Sequence, residues 1–397
     1  MKAGWQTKTL GDVLVRTETV NPVQAPGKEF EYIDVSSVSN ETFEIVETQR
    51  LMGREAPSRA RKLVKANDVI FATIRPTLKR IAIVPENLDG QVCSTGYFVL
   101  RPKPGIDHRF VFYSLFTASF QEGMEALQKG ASYPAVTDGD VRSQQIPVPP
   151  LSEQCRIVSI LDEAFDGIAT AKANAEKNLQ NAHALFESRL QLVFARTGDG
   201  WVERRLGDVV NRLTNGYVGP TRDIYRESGV PYLLARHVKN NRLKFDGRTF
   251  VSDEFNLRNK KSMLKAGDVL LVQSGHIGHS AVVTEEHEGH NCHAMIVITP
   301  VRGVLTGTFL SLYFNSSIMR QKFEEIRSGS TVPHLTCGAV RELSIALPDV
   351  NMQQQLVEQS KELESETRRL ESIYQRKLAA LDELKQSLLH QAFSGAL

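Results

Sequence analysis

Two short stretches carry cations at spacings suited to a polyanion. Arg59, Arg61 and Lys62 share one polar, proline-containing run with Arg54 and Lys65. Arg75, Lys79 and Arg80 follow at what reads as a strand–loop junction. Ammonium and guanidinium groups neutralise phosphates and give an affinity that falls with salt. Guanidinium, amide and hydroxyl groups can also pair with base edges and discriminate sequence. Later in the chain the corresponding places hold Lys260 and Lys261, beside Arg258 and Lys265, then Gln273, Ser274, His276 and His279. A third matched loop pairs Ser132-Tyr133-Pro134, after Gly130-Ala131, with Thr331-Val332-Pro333-His334, after Gly329-Ser330. Small hydroxyl residues beside a proline suit close backbone approach to a phosphate, and equally suit a structural turn. Any one cluster reads most plainly as a solvated face. Recurrence at matched places points to double-stranded DNA.

Catalytic chemistry is missing from the pattern. There is no GxxxxGK[ST] loop, no GxGxxG after a strand, no GxSxG elbow and no HExxH. The Asn/Asp-Pro-Pro-aromatic motif of amino-methyltransferases is also missing: Pro149-Pro150 precedes Leu151, and Asn21-Pro22 precedes Val23. The best metal candidate is His287-x-x-His290-x-Cys292-His293, with His276 and His279 nearby. Imidazole and thiolate at that density could hold zinc. The matching Cys93 has no histidine around it, so the reading is that no metal is bound.

The elements that must position these loops come twice. Gly4-Trp5 with Leu10-Gly11-Asp12-Val13 recurs as Gly200-Trp201 with Leu206-Gly207-Asp208-Val209, close to half of the 397 residues later. Lys65-Ala66-Asn67-Asp68-Val69 matches Lys265-Ala266-Gly267-Asp268-Val269, and Gly139-Asp140-Val141-Arg142 matches Gly338-Ala339-Val340-Arg341. Between these anchors the halves diverge, as two readers of different targets would. Each half opens with β-like runs: Val69–Ala72, Ile81–Val84 and Tyr97–Leu100 in the first, then Val269–Val272, 281–283 and 296–298 in the second. Short helices are expected near 109–127 and 308–326. The fold class is therefore α+β (mixed α/β), with two globular domains related by internal duplication.

Each half then ends in one long helix. The first follows Pro149-Pro150, with Ser152 as the expected N-cap; the second starts at about Met352 after Pro348. Ile157, Leu161, Ile168 and Leu185 mark a heptad seam in the first, together with Ala164, Ala171, Ala175, Ala182 and Leu192. Leu356, Leu363, Leu370, Leu381 and Leu388 mark one in the second, with Tyr374 and Leu384. Helices of this length span on the order of 60–65 Å, so neither can be buried alone. An antiparallel coiled coil between them, holding the domains apart as a rod, is the expected solution. The expected division is 1–151, 152–197, 198–350 and 351–397: globular domain, helix, globular domain, helix.

Composition fits a soluble globular protein: 41% hydrophobic, 24% charged, net charge +2. Four scattered cysteines read as reduced thiols of a cytoplasmic protein. No apolar run reaches the length of a bilayer span, so no membrane is expected, and the first residues lack the apolar core of a signal peptide.

Over its full length the chain resembles the specificity subunits of prokaryotic type I restriction–modification enzymes. The duplicated Trp…Leu-Gly-Asp-Val openings carry the resemblance. So does Pro149-Pro150-Leu151-Ser152-Glu153-Gln154 with Arg156-Ile157-Val158, and its echo from Pro348 to Val357, where Met352 replaces the glutamate. The ending Leu388-Leu389-His390-Gln391-Ala392-Phe393-Ser394-Gly395 is similar too. The resemblance implies two target-recognition domains reading a bipartite DNA sequence, and helices that act as spacer and dock two modification subunits. It implies a non-catalytic chain without cofactors. S-adenosylmethionine, ATP and magnesium would sit on the modification and restriction/translocase partners. Two other readings remain open: a coiled-coil scaffold with protein-binding ends, or a fused methyltransferase or nuclease.

Overall fold

Apolar runs between turn residues become short buried strands, and the chain divides into two units. The computed structural model describes residues 4–130, 132–195, 200–239, 241–329 and 333–397. Unit 1 is Met1–Glu176 with Gln375–Leu397, and unit 2 is Lys177–Tyr374.

The strands of unit 1 are β1 (Gln6–Thr9), β2 (Glu29–Ile33), β3 (Gln49–Met52), β4 (Ala60–Leu63), β5 (Val69–Ala72), β6 (Ile81–Ile83), β7 (Val92–Ser94), β8 (Tyr97–Leu100) and β9 (Gln145–Val148). They form a sheet in the order β3-β2-β7-β4, an antiparallel sheet β6-β5-β8 and the pair β1-β9. β5 and β8 are buried on both faces, which their unbroken apolar runs require. The helices are α1 (Leu10–Val13), α2 (His108–Ser114), α3 (Ala118–Leu127), α4 (Asp138–Arg142) and α5 (Leu151–Ala195). The stretch expected to be helical near 109–127 is two helices, because Thr117 caps the second through the Phe120 N–H.

Unit 2 repeats the scheme. Its strands are β10 (Val202–Arg205), β11 (Val210–Asn215), β12 (Val230–Leu233), β13 (Val238–Lys239), β14 (Arg242–Leu243), β15 (Phe250–Val251), β16 (Val269–Val272), β17 (Ser280–Val282), β18 (Asn291–Cys292), β19 (Met295–Pro300) and β20 (Ser344–Leu347). The central sheet runs β11-β19-β16-β17, so β16 is framed as β5 is, with one strand added at the edge. Its helices are α6 (Asp253–Arg258), α7 (Gly307–Phe314), α8 (Ser317–Ile326), α9 (Cys337–Arg341) and α10 (Val350–Ser394).

The long helices start earlier than their sequences suggest. The Glu153 and Gln154 N–H groups donate to the Pro150 carbonyl, so α5 begins at Leu151 and Ser152 lies inside it rather than capping it. Asp349 caps α10 by accepting from the Met352 N–H at 2.9 Å. In unit 1, α5 and α10 run antiparallel, marked by the Lys172–Asp382 ion pair and by Lys385 lying 4.9 Å from the Phe165 ring centre. In unit 2 they are also antiparallel, with His183 beside Glu371 at 3.1 Å.

The seam is only partly the expected one. Ile157, Leu161 and Ile168 are buried, and Leu356, Leu363, Leu381 and Leu388 are half-buried. Leu185 and Leu370 are exposed, at 53% and 37%, as are Leu192 and Leu384. Phe186 and Phe194 take the inward positions on α5 instead. Phe194 packs on Phe309 and Tyr313, and that aromatic burial decides the facing. On α10 the inward row passes through Thr367, Glu371 and Tyr374, so a stripe read from leucines alone slides off it.

Candidate nucleic-acid interface

In unit 1 backbone hydrogen bonds bring three sequence-distant segments to one end of β5. The Thr95 N–H donates to the Arg59 carbonyl, the Thr73 N–H to Gly96, the Val136 N–H to Thr73 and the Arg75 N–H to Pro134. Ile74 bridges Ala135, which also bridges Lys129. The loops carrying Arg59, Arg75 and Tyr133 are therefore one assembly. Arg59, Arg75, Ser132 and Tyr133 are exposed, and Tyr133 at 72% is the most exposed large hydrophobic among the described residues. The Arg75 guanidinium lies 5.3 Å from the Tyr133 ring centre. Such stacking contributes roughly 0.5–1 kcal/mol at an exposed site.

The backbone there is strained. Arg75 has φ 50° and Lys79 φ 52°, flanking a buried Pro76. A left-handed residue other than glycine costs on the order of 1 kcal/mol.

Other predicted cations serve the fold. Lys62 donates to the Tyr97 carbonyl at 2.6 Å and to Asp138 at 2.8 Å, with its side chain 16% exposed. Arg80 donates to the carbonyls of Val35, Ser36 and Val38, the last at 2.6 Å. Arg61 holds the Asn21 side chain at 2.6 Å. Lys79 is half-buried and forms no ion pair among the described residues.

Unit 2 builds the same junction with different side chains. Ser274 bridges His334, which also bridges Ser328, and the Leu335 N–H donates to Gln273. His276 is exposed, whereas Ser274 and His334 are half-buried. The Gln273 Oε1 is buried without a partner among the described residues, so that end of the amide faces away from solvent. Burial and the nearby Arg320, His276 and Lys239 lower the His279 pKa from its ordinary value. Thr331 lies outside the described residues. Lys260 and Lys261 are exposed but not at this junction. Arg212 donates to the Lys261 carbonyl and pairs with Asp268, just before β16, while the 273–279 loop follows β16. One strand length separates them.

A basic hairpin escaped the sequence reading. Arg236, Lys239, Arg242 and Lys244 line a cleft of about 570 Å³ with His237, Asp246 and Glu364. Arg236 holds the Asp246 carboxyl well below the usual carboxylate range, and Arg242 pairs with Glu364 at 3.0 Å. The equivalent hairpin of unit 1, closed by the Val38–Ile45 bridge, carries Glu41 and Glu44. Opposite charge at duplicated positions was the available signal.

The histidines and cysteines do not converge. His287 and His290 stack at 5.4 Å between ring centres. Burial pushes the Cys292 and Cys93 thiols up to about 12. Among the described residues no group of three or more His, Cys, Asp and Glu is arranged to hold a metal ion, and no helix is long and apolar enough to cross a membrane.

The model of the type I restriction modification DNA specificity domain matches residues 2–180 and again 198–377. The chain belongs to that family. The specificity family's two matches fall on the two copies of the duplication, each covering a globular part and the start of a long helix. The chain is 22% identical to the type I restriction enzyme EcoBI specificity subunit of Escherichia coli over 316 residues, 73% of this chain and 65% of that one. It is 28% identical to the HindI specificity subunit of Haemophilus influenzae over 160 residues, 40% of this chain and 34% of the relative. The chain thus spans less than two thirds of these curated relatives. Among solved structures, a chain from work on complex assembly and conformational transition of the type I R-M system is 28% identical, with 100% and 99% coverage and a TM-score of 0.85. The HsdS subunit from Thermoanaerobacter tengcongensis is 28% identical, with 100% and 98% coverage and a TM-score of 0.72.

Proposed function

We propose that this chain is the DNA sequence-specificity subunit of a type I restriction–modification complex. It reads a bipartite target, one half-site per unit, through the junctions after β5 and β16. The carrying observation is that these junctions share a backbone, Ile74 on Ala135 and Ser274 on His334, but not their side chains. A common scaffold with divergent tips is what two different half-sites require. Phosphate contacts hold register, and a few side chains read base edges.

The chain itself performs no catalysis and carries no cofactor in this reading. S-adenosylmethionine, ATP and magnesium belong to two modification subunits and the restriction/translocase subunits of a prokaryotic cytoplasmic complex. The paired long helices set the unread interval and dock the partners. Exposed Leu185, Leu192, Leu370, Ile373 and Leu384 on those helices support docking, since apolar side chains in water favour a covering surface.

The test is genome-wide adenine methylation in cells carrying this chain with its modification subunit. A bipartite motif that vanishes on deletion of the chain is the expected result, and it gives both half-sites and their spacing. If methylation persists unchanged without the chain, the reading fails.

A further inference from the structure

The turn after β5 and the turn after β16 leave and rejoin their sheets at matched points with different side chains, the first being one residue longer. The Ala72 N–H donates to Arg80 in the first and the Val272 N–H to His279 in the second, which aligns the turns. Both place left-handed residues at the same two points: Arg75 and Lys79 in unit 1, Gly275 and Gly278 in unit 2. Glycine adopts that conformation without steric conflict. Unit 2 shows that the turn closes with glycine, so the fold does not demand an arginine. Unit 1 keeps one in a strained conformation.

What that arginine presents is specific. Its N–H is tied to Pro134 at 2.7 Å and the next residue, Pro76, is buried, so the backbone is fixed. Its guanidinium lies against the exposed Tyr133 ring. A cation held over a ring by its charge keeps N–H donors for a further acceptor. Among the described residues no carboxylate pairs with it. A held planar edge with two parallel donors matches O6 and N7 of guanine in the major groove. A phosphate would accept the same fork, and 7-deaza substitution separates the two because it removes an acceptor from the base alone.

We infer that Arg75, positioned by Tyr133, reads one guanine in the half-site of unit 1, and that unit 2, with Gly275 at this point, has no counterpart. The inference rests on the DNA-reading function above and adds the base and the residue.

The test uses the complex with its modification subunit and duplexes bearing the motif found by methylation. Each guanine is replaced in turn by 7-deazaguanine, which lacks only the N7 acceptor. One guanine of one half-site should show a loss of about tenfold in affinity. Arg75→Gly suits the native backbone and should bind the normal duplex more weakly, with that deaza penalty gone. Arg75→Lys keeps the charge and should also lose the penalty. Tyr133→Phe should retain it and Tyr133→Ala should shrink it. A wild-type complex that prefers its motif but shows no deaza-sensitive guanine overturns the inference and leaves the function standing. A penalty that survives in Arg75→Gly assigns the guanine to another residue. An unchanged penalty in Tyr133→Ala removes the positioning role. A complex with no motif preference overturns the function itself.

Discussion

Asp68 and Asp268 are the same buried carboxylate in two copies, and each is neutralised from a different neighbour. Both accept from a lysine N–H three residues earlier. Asp68 pairs with Arg101, beyond β8, at 2.8 Å, whereas Asp268 pairs with Arg212 on β11 and accepts from Thr299, the counterpart of Arg101. The repeated Lys-Ala-x-Asp was legible in the sequence; the direction of the guanidinium was not, because either flanking strand can supply it. The same limit explains Lys62 and Arg80, which share a composition with Arg59 and Arg75 but spend their charge on carbonyls far along the chain. No local spacing distinguishes the two uses. Lys62→Ala should lower stability by about 1–3 kcal/mol in urea unfolding, since it strands the Tyr97 carbonyl and Asp138. Arg59→Ala should leave stability within about 0.5 kcal/mol and weaken DNA binding with a shallower salt dependence. The reverse pattern would move Lys62 to the interface and Arg59 into the scaffold.

At the scale of elements, the motif at the head of each long helix has a mechanical explanation. Gln154 is 1% exposed and Gln353 0%. The Gln154 Oε1 accepts from the Asp107 N–H at 2.8 Å while its Nε2 donates to Pro149 at 2.8 Å. Gln353 repeats this on the Thr306 N–H, Val304 and Pro348, each at 2.9 Å. Each amide therefore ties a long helix to the loop preceding α2 or α7. Glu153 pairs with Arg156 three residues further along the same helix, and Met352 stands at its place in the second helix. Gln353→Leu should cost about 1–3 kcal/mol in unfolding, because one buried and two part-buried backbone groups lose a partner, while Met352→Glu should be near neutral. An equal effect of both changes would contradict the clamp. The helices themselves were readable from their unbroken length. Their facing was not: leucine spacing points to Leu185 and Leu370, but packing of Phe186 and Phe194 turns α5.

At the scale of the whole chain, the two copies differ in their answer to acid. Burial lowers the pKa of His237, His279, His290 and His293, all in unit 2, from the ordinary value of 6.5. In the globular part of unit 1 only His108 is so affected among the described residues. A folded value below the unfolded one means that the unfolded chain takes up protons first. Stability is therefore complete above pH 6.5 and is lost as pH falls through the lowered folded values. Trp5 packs against the core of unit 1 and Trp201 against that of unit 2. Fluorescence of Trp5→Phe should report a urea midpoint that drops between about pH 7 and pH 5, with a smaller drop for Trp201→Phe. Equal drops would contradict the assignment. The duplication was plain from its anchors, but this asymmetry needed burial. Unit 1 is not a continuous stretch of chain, since Leu389 and Ala392 of α10 complete its core, and the core of unit 2 takes in Phe194 of α5 and Val357 of α10, outside its globular part. The natural cassette for transplanting a specificity is then the stretch outside the long helices, residues 4–148 or 202–347, and not half a gene. An exchange with breakpoints at the helix heads carries a whole reader into a recipient that supplies the rest of its core, whereas a cut at mid-chain separates each reader from side chains it is folded around.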